Sequence, residues 1–349
     1  MRGAQSRQRV MLTLRGPEQC VPMEHPLRRI KQLADQALRM IEPVLEEMYS
    51  RIGRRSIPPE RLLKASLLMA LYSVRSERML CEQLSYNFLF RYFLDLDMLE
   101  EPFDHSSFSH NRGRLLAHDV AREFLAAVTA QARALDLLSD ERFTVDGTMI
   151  EAWASMKSYR PKAPPSDAGG TGGTRLRDRF VSITDPEARL YRTSKSRVAT
   201  LSYLANALMD NRHGLLADLK VGIADGFCER EQALAMLAPL GGRAKSVGAD
   251  KAYDTKSFVA GCAALRVEAH VTENSKHHNS ALDRSLLETE RYRTSQRVRK
   301  RVEEIFGWFK TVANFRRTRY RGHALTELSA QLIGAAYNLL RIAKLCPTG

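Results

Sequence analysis

Three acidic residues stand where a chain can gather carboxylates: Asp146, Asp250 and Glu303. Asp146 follows the β-prone run Arg142-Phe143-Thr144-Val145, and Asp250 follows a second such run ending at Ala249. Carboxylates at strand ends are well placed to converge beside a sheet. Glu303 lies in Arg299-Lys300-Arg301-Val302-Glu303-Glu304-Ile305-Phe306-Gly307-Trp308-Phe309-Lys310, which has helical periodicity. At about 100° per residue, Arg299, Glu303 and Lys310 fall within about 40° of one another. They edge a buried stripe of Val298, Val302, Ile305, Phe309 and Val312. Glu304 points about 100° away from Glu303, to the side of Lys300. Three carboxylates without Cys or His partners suit hard divalent cations, Mg²⁺ or Mn²⁺. Two such ions about 3.5–4 Å apart activate a water or hydroxyl and stabilise the leaving oxygen in phosphodiester transfer. Arg299 and Lys310 would hold phosphates nearby. Each feature alone has a plainer reading, because Asp-Gly is ordinarily a turn and Arg299–Glu303 an ordinary i,i+4 pair. Their order and placement together favour the catalytic one.

The elements that must carry these residues divide the chain. Met1 to about Pro26 is polar and aperiodic, an arm. From Leu27 to about Leu138 the pattern is helical, with Leu27, Ile30, Leu33, Leu38, Ile41 and Leu45 recurring at helical spacing. Pro58-Pro59 opens a helix with Leu67, Leu68, Leu71 and Val74 on its apolar face. Ser106 or Ser107 reads as the cap of Phe108–Leu116, and Val120–Ala134 is amphipathic. No strand signal precedes Arg142, where the character changes. Arg142–Val145, a tight bend at Asp146-Gly147 and Thr148–Ile150 read as strand, bend, strand. Lys157 to about Asp185, rich in Pro and Gly around Gly169–Gly173, reads as a flexible insert at about 157–185. Strands follow at Thr200–Leu208 and Gly214–Val221, around a turn at Asn211–Gly214. Then come a helix at Glu229–Leu240, a strand at Ala244–Gly248, a helix at Ser257–Leu265 and a strand at Val267–Val271. Helices from about Gln296 to Arg321 and over Leu325–Lys344 finish the chain. Three strands in succession, then two alternating with helices, predict a mixed sheet flanked by helices. The class is α+β or α/β, behind an all-helical first third.

The chain has 349 residues, with 54 Lys and Arg against 40 Asp and Glu, a formal net charge of +14. That excess points to a polyanionic partner. Residues 291–321 alone hold 11 Lys or Arg against two Glu, and they surround Glu303, so phosphate contact is expected there. No stretch is long and apolar enough to span a bilayer, and no secretory leader is read. The five cysteines are scattered without a CxxC pair, which predicts neither disulfides nor a thiolate zinc site and suits a reducing cytoplasm. Among other candidates, His277-His278 reads as solvated and Asp104-His105-Ser106 as a helix cap before a hydrolase triad. Gly169–Gly173 lacks the Gly-Lys-Ser/Thr ending of a P-loop and reads as linker. Trp153 and Trp308 read as core before base-stacking platforms.

Five motifs together resemble one family. They are Ser56-Ile57-Pro58-Pro59, Leu71-Tyr72-Ser73-Val74-Arg75-Ser76-Glu77-Arg78, Thr144-Val145-Asp146-Gly147-Thr148, Gly248-Ala249-Asp250-Lys251-Ala252-Tyr253-Asp254 and Val302-Glu303-Glu304-Ile305-Phe306-Gly307-Trp308. The chain resembles the bacterial insertion-sequence DDE transposases, the insertion-sequence-five family in particular, from about Arg54 to Leu345. Behind the flexible arm read at 1–26, the resemblance implies a helical DNA-binding domain at 27–138 and a ribonuclease-H-like DDE catalytic domain at 139–346. It implies that Asp146, Asp250 and Glu303 are the catalytic, metal-binding triad, holding two Mg²⁺ or Mn²⁺ ions per site. Related transposases carry a Tyr-x2-Arg-x3-Glu-x6-Lys pattern. Arg299, Glu303 and Lys310 match its last three members, while Gln296 stands at the tyrosine position. Arg299, Lys310, Lys251, Arg316 and Arg317 are the expected DNA contacts.

The activity so implied is cut-and-paste transposition. The enzyme would bind double-stranded DNA at the terminal inverted repeats, with a helix-turn-helix-like element within Pro58–Phe93 reading sequence. It would hydrolyse a phosphodiester to free a 3′-hydroxyl that then attacks target DNA. Synapsis of two ends implies a homodimer or larger assembly, in a bacterial cytoplasm and away from membranes. Two other readings remain at this stage. One is a non-catalytic, element-derived DNA-binding protein, against which the three intact acids argue. The other is a stand-alone metal-dependent nuclease of the same fold, which would nick DNA without joining it.

Overall fold

Helices come first, as the periodicity predicts. The computed structural model describes residues 16–48, 56–161, 180–192, 198–273, 280 and 282–347. α1 (Pro17–Cys20) lies inside the stretch read as an arm, with Pro17 and Val21 buried. α2 (Pro26–Met40) buries Leu27, Ile30, Leu33, Ala34, Ala37 and Leu38 on one stripe and runs into α3 (Glu42–Glu47). α4 (Pro59–Leu71) starts on the expected prolines and is buried nearly all round. Its Lys64 ammonium is tied to the carboxylates of Asp35 and Asp95. α5 (Glu77–Tyr86), α6 (Phe88–Phe93), α7 (His105–Ala117) and α8 (Val120–Ala134) complete the helical region. α7 starts earlier than expected. Its cap is Asp104, not Ser106 or Ser107, because the Asp104 carboxylate accepts from the Ser106 N–H at 2.8 Å.

β1 (Arg142–Glu151) corrects the reading of Asp146-Gly147 as a bend: the strand runs through both residues without interruption. Backbone pairing with a distant strand overrides the local turn preference of Asp-Gly. β2 (Tyr159–Pro161) and β3 (Phe180–Ser182) form a separate two-stranded ladder, so both ends of the segment read as a flexible insert are ordered. Asp185, at that segment's far end, is buried and accepts from the Tyr203 hydroxyl at 2.7 Å. Residues 162–179, including Gly169–Gly173, lie outside the described residues, as do 1–15 and His277-His278. β4 (Arg189–Tyr191) flanks the start of β5 (Thr200–Asp210), and β5 pairs antiparallel with β1 from Phe143↔Asp210 to Glu151↔Ser202. β6 (Leu215–Ile223) returns antiparallel to β5, turning at Gly214, whose φ is +69°. β7 (Ser246–Ala249) pairs parallel with β1, and β8 (Glu268–Val271) parallel with β7.

The main order is therefore β6-β5-β1-β7-β8, with β5 alone running against the others. A three-strand meander extended on one side by two parallel strands is the ribonuclease-H-like sheet, and the mixed-sheet expectation holds. On one face Phe143 and Val145 pack with α9 (Cys228–Leu237) and α10 (Lys256–Ala264). On the other, Ile150 and the alternate residues of β5 join a core continuous with the N-terminal helices.

The C-terminal helices differ from the expected pair. After α11 (Arg284–Leu287), the helix expected from Gln296 to Arg321 is two helices, α12 (Glu290–Arg299) and α13 (Val302–Thr311). Between them Arg301, Glu303 and Glu304 donate their N–H groups three residues back, tightening the backbone. α14 (His323–Leu345) lies along β6 and supplies polar partners to its outer side. Asn338 accepts from Leu216 N and donates to Leu216 O, both at 2.9 Å. Glu327 accepts from Val221 N, His323 Nε2 lies 2.7 Å from Val221 O, the Tyr337 hydroxyl donates to Gly214 O and Arg341 donates to His213 O. No helix among the described residues is long and apolar enough to cross a membrane.

Candidate active site

The sheet and α12–α13 bring the three acids to one place. Along β1, even-numbered side chains face α12 and α13, and Asp146 is among them. Asp250 stands just past β7, where its carboxylate accepts from Ala252 N at 2.8 Å and starts a turn of 3-10 helix at Lys251–Tyr253. Glu303 lies in the first turn of α13. Burial pushes the Asp146 carboxyl up to about 6, and the neighbouring Asp250 and Glu303 carboxylates push the same way, against the Gly147 N–H and the Arg299 guanidinium. Asp146, Asp250, Glu303 and Arg299 thus share one electrostatic site.

The basic members are positioned from the same elements. Lys310 donates to the Thr148 hydroxyl at 2.5 Å, and Thr148 lies on the Asp146 face two residues on. Gln296, at the tyrosine position of the family pattern, does structural work. Its amide N donates to the carbonyls of Ala249 and His270, and its oxygen accepts from Thr272 Oγ1 at 2.9 Å and from Arg299 Nε at 3.3 Å. That side chain pins α12 to the ends of β7 and β8 and orients Arg299. The helix can cross β7 closely because residue 248 is glycine; a Cβ there would stand 2.9 Å from Ser295 Oγ.

Other expected residues fall differently. Lys251 is exposed beside Asp250. Arg316 is exposed and donates to Lys310 O at 3.3 Å. The Arg317 guanidinium is held by the carbonyls of Ala152 and Trp153 and lies over the Trp153 ring. Trp153 is 47% exposed, not core as expected, because it lies past the end of β1. Trp308 is half-buried, edge-on to Phe309 and Tyr337. Glu304 faces Arg341 of α14 at 3.7 Å, not Lys300, since the tightened backbone before α13 alters the wheel drawn through it.

Residues 16–114 match the family model described as "Transposase domain (DUF772)", and residues 180–339 match "Transposase DDE domain". The chain belongs to the insertion-sequence DDE transposases. This transposase is an enzyme that cleaves DNA and transfers strands, and its DDE domain makes it dependent on divalent metal. No curated protein matches its sequence. Solved structures that match include a pre-cleavage Mos1 transpososome, 8% identical at a TM-score of 0.20 over 92% of this chain and 97% of that one. The Mos1 transposase paired-end complex with left transposon end matches at 9% identity and TM-score 0.20, over 84% of this chain and 98% of that one. The Mos1 Strand Transfer Complex matches at 10% identity and TM-score 0.20, over 91% and 98%. Scores that low carry no argument; the strand order carries the fold.

Among the described residues, no group of three or more Asp, Glu, His or Cys side chains is drawn together closely enough to hold a metal ion as it stands. The donor set of the transposase fits a hard divalent cation nonetheless. It consists of carboxylates, and the burial and mutual repulsion that raise Asp146 are what a bound cation would offset. The sequence reading missed three polar groups next to these acids: Glu229, Asn206 and the Tyr253 hydroxyl. Glu229 opens a helix just after a strand, and the rule applied to acids at strand ends could have been extended to it.

Proposed function

We propose that this transposase binds the terminal inverted repeats of its own element as double-stranded DNA and moves the element by cut-and-paste transposition. Asp146, Asp250 and Glu303 are its catalytic triad and bind two Mg²⁺ or Mn²⁺ ions. The observation that carries this reading is the convergence of three acids from β1, the end of β7 and α13, with Arg299 and Lys310 beside them. When bound, the metal supplies Lewis-acid stabilisation of the attacking and leaving oxygens. Asp146, Asp250 and Glu303 hold it, and Arg299 and Lys310 hold the phosphodiester in line. Lys251 and Arg316 contact flanking backbone, and Arg317 shapes the rim through Trp153. The helical region at 27–138 reads the ends, with α5 as the reading helix, since it buries only Leu80 and Leu84 and leaves its outer face open. Residues 139–346 form the catalytic domain. The fit to the insertion-sequence-five family, pairing of ends by a homodimer or larger assembly, and a bacterial cytoplasmic setting belong to the same reading.

The test is cleavage of a labelled element end. We expect full activity in Mg²⁺ or Mn²⁺ and none in excess EDTA, with end binding retained by mobility shift. End cleavage in EDTA would sink the proposal. Joined products, not nicks alone, separate it from a nuclease.

Arg299→Ala or Lys310→Ala should cut strand processing by about 10- to 100-fold while leaving end recognition within about threefold, because both side chains sit at the acids, whereas α5 packs on α6 and α7. Footprinting paired with single-turnover cleavage measures the two separately. Loss of specific binding with intact catalysis on prebound ends would show that these cations belong to recognition.

A further inference from the structure

β6, β7 and β1 run in the same direction, so the carboxyl ends of β6 and β7 reach the same end of the sheet on either side of β1. Asp250 lies past β7. Past β6, the Asp225 carboxylate accepts from Phe227 N and Cys228 N and fixes the start of α9, which delivers Glu229 in its first turn. Glu229 approaches from the layer opposite α13. It reaches the backbone beside Asp146 because residue 147 has no side chain: a Cβ on Gly147 would stand 2.9 Å from Glu229 Oε1 and 2.8 Å from Asn206 Oδ1.

An acid in the first turn of a helix ordinarily serves the helix dipole, and exposed Glu231 on the same helix fits that role. Glu229 departs from it on two counts. Burial pushes its carboxyl up to about 7, with Asp250 and Asp146 adding to the shift and Arg230 opposing. Its surroundings also hold unsatisfied polar groups. Asn206 is fully buried, and its side-chain oxygen, aimed at the same point over Gly147, has no hydrogen-bond partner. Tyr253 is 1% exposed; its hydroxyl also lacks a partner and faces Glu229, Asp146 and Asp250. Buried oxygens left unpaired around clustered carboxylates are what a cation site looks like before its ion is supplied.

We propose that Glu229, with the side-chain oxygen of Asn206 behind it, is a fourth ligand group for a divalent cation at the active site. This rests on the reading of Asp146, Asp250 and Glu303 as metal ligands and extends it across the sheet. The test is Mn²⁺ binding to the full-length protein without DNA, by calorimetry and by the Mn²⁺-induced rise in Tm, with Tm in EDTA checking the fold. Glu229→Gln should weaken Mn²⁺ at least about tenfold and remove most of the Tm rise, as Asp146→Asn does, while Glu231→Gln changes neither. Wild-type Mn²⁺ affinity in Glu229→Gln, with Asp146→Asn impaired, overturns the role of Glu229 and leaves the triad standing. Undiminished binding in both variants overturns the triad reading and this extension together. Should Glu229→Gln not fold, Glu229→Asp keeps the charge on a shorter arm; reduced affinity supports the proposal and wild-type affinity overturns it.

Discussion

Glu303→Gln should lower end cleavage in Mg²⁺ at least about a hundredfold with the fold intact, while Glu304→Gln cleaves near the wild-type rate. The two glutamates are adjacent and share their chemistry, so only direction separates them. α13 buries Val302, Ile305, Phe306 and Phe309, which leaves both acids outside the core. Glu303 acts on Asp146 electrostatically, whereas Glu304 lies against Arg341 at 3.7 Å with 58% of its side chain exposed. An exposed pair of that kind is worth about 0.2–1 kcal/mol, so its loss hardly touches stability. Replacing the Glu303 carboxylate by an amide keeps its size and removes the charge that a divalent ion needs. The measurement is single-turnover cleavage of a labelled end by both purified variants, matched for Tm. A dead Glu304 variant beside an active Glu303 variant would show that the third acid has been placed one residue off.

Asn338→Leu should cost about 2–6 kcal/mol of stability, from two buried backbone groups losing their partners at about 1–3 kcal/mol each. The Asn338 side chain is fully buried, and its amide satisfies both the N–H and the carbonyl of Leu216, doing for β6 what another strand would do. Leucine fits the volume and offers neither bond. Urea unfolding followed by circular dichroism should show the midpoint fall. A midpoint within error of wild type would mean that Leu216 finds other partners.

Much of this architecture was legible from local pattern. The apolar stripes of α2 and α13, the proline start of α4 and the alternation of strands after Arg142 all report burial that repeats within a few residues. The acids at 250 and 303 could be placed from that pattern because one neighbouring element fixes each. What escaped depends on pairing between distant residues. Asp146-Gly147 carries a turn signal, and only the ladder with Ala207 and Asn206 shows that the strand continues through it. Glu229 stands where the rule for acids at strand ends could have been extended, but its closeness to Asp146 comes from sheet order and from the missing side chain at 147. The split between α12 and α13 was hidden because Lys300 and Arg301 favour helix, and the break shows only in the backbone bonds that run three residues back around them.

The polar row that α14 lays against β6 also bears on how the chain is made. β6 ends at Ile223 and α14 begins at His323. At about 5–20 residues per second, roughly 5–20 seconds of translation separate the strand from the helix that covers it. Through that interval the unpaired side of β6 is open to strands from other nascent chains, which is the ordinary route to aggregation. α14 also packs on α2, α4 and α8, so helices made well before it must wait for it to complete their packing. Chains cut short before His323 should accumulate as insoluble protein, and the enzyme becomes competent only once α14 has left the ribosome.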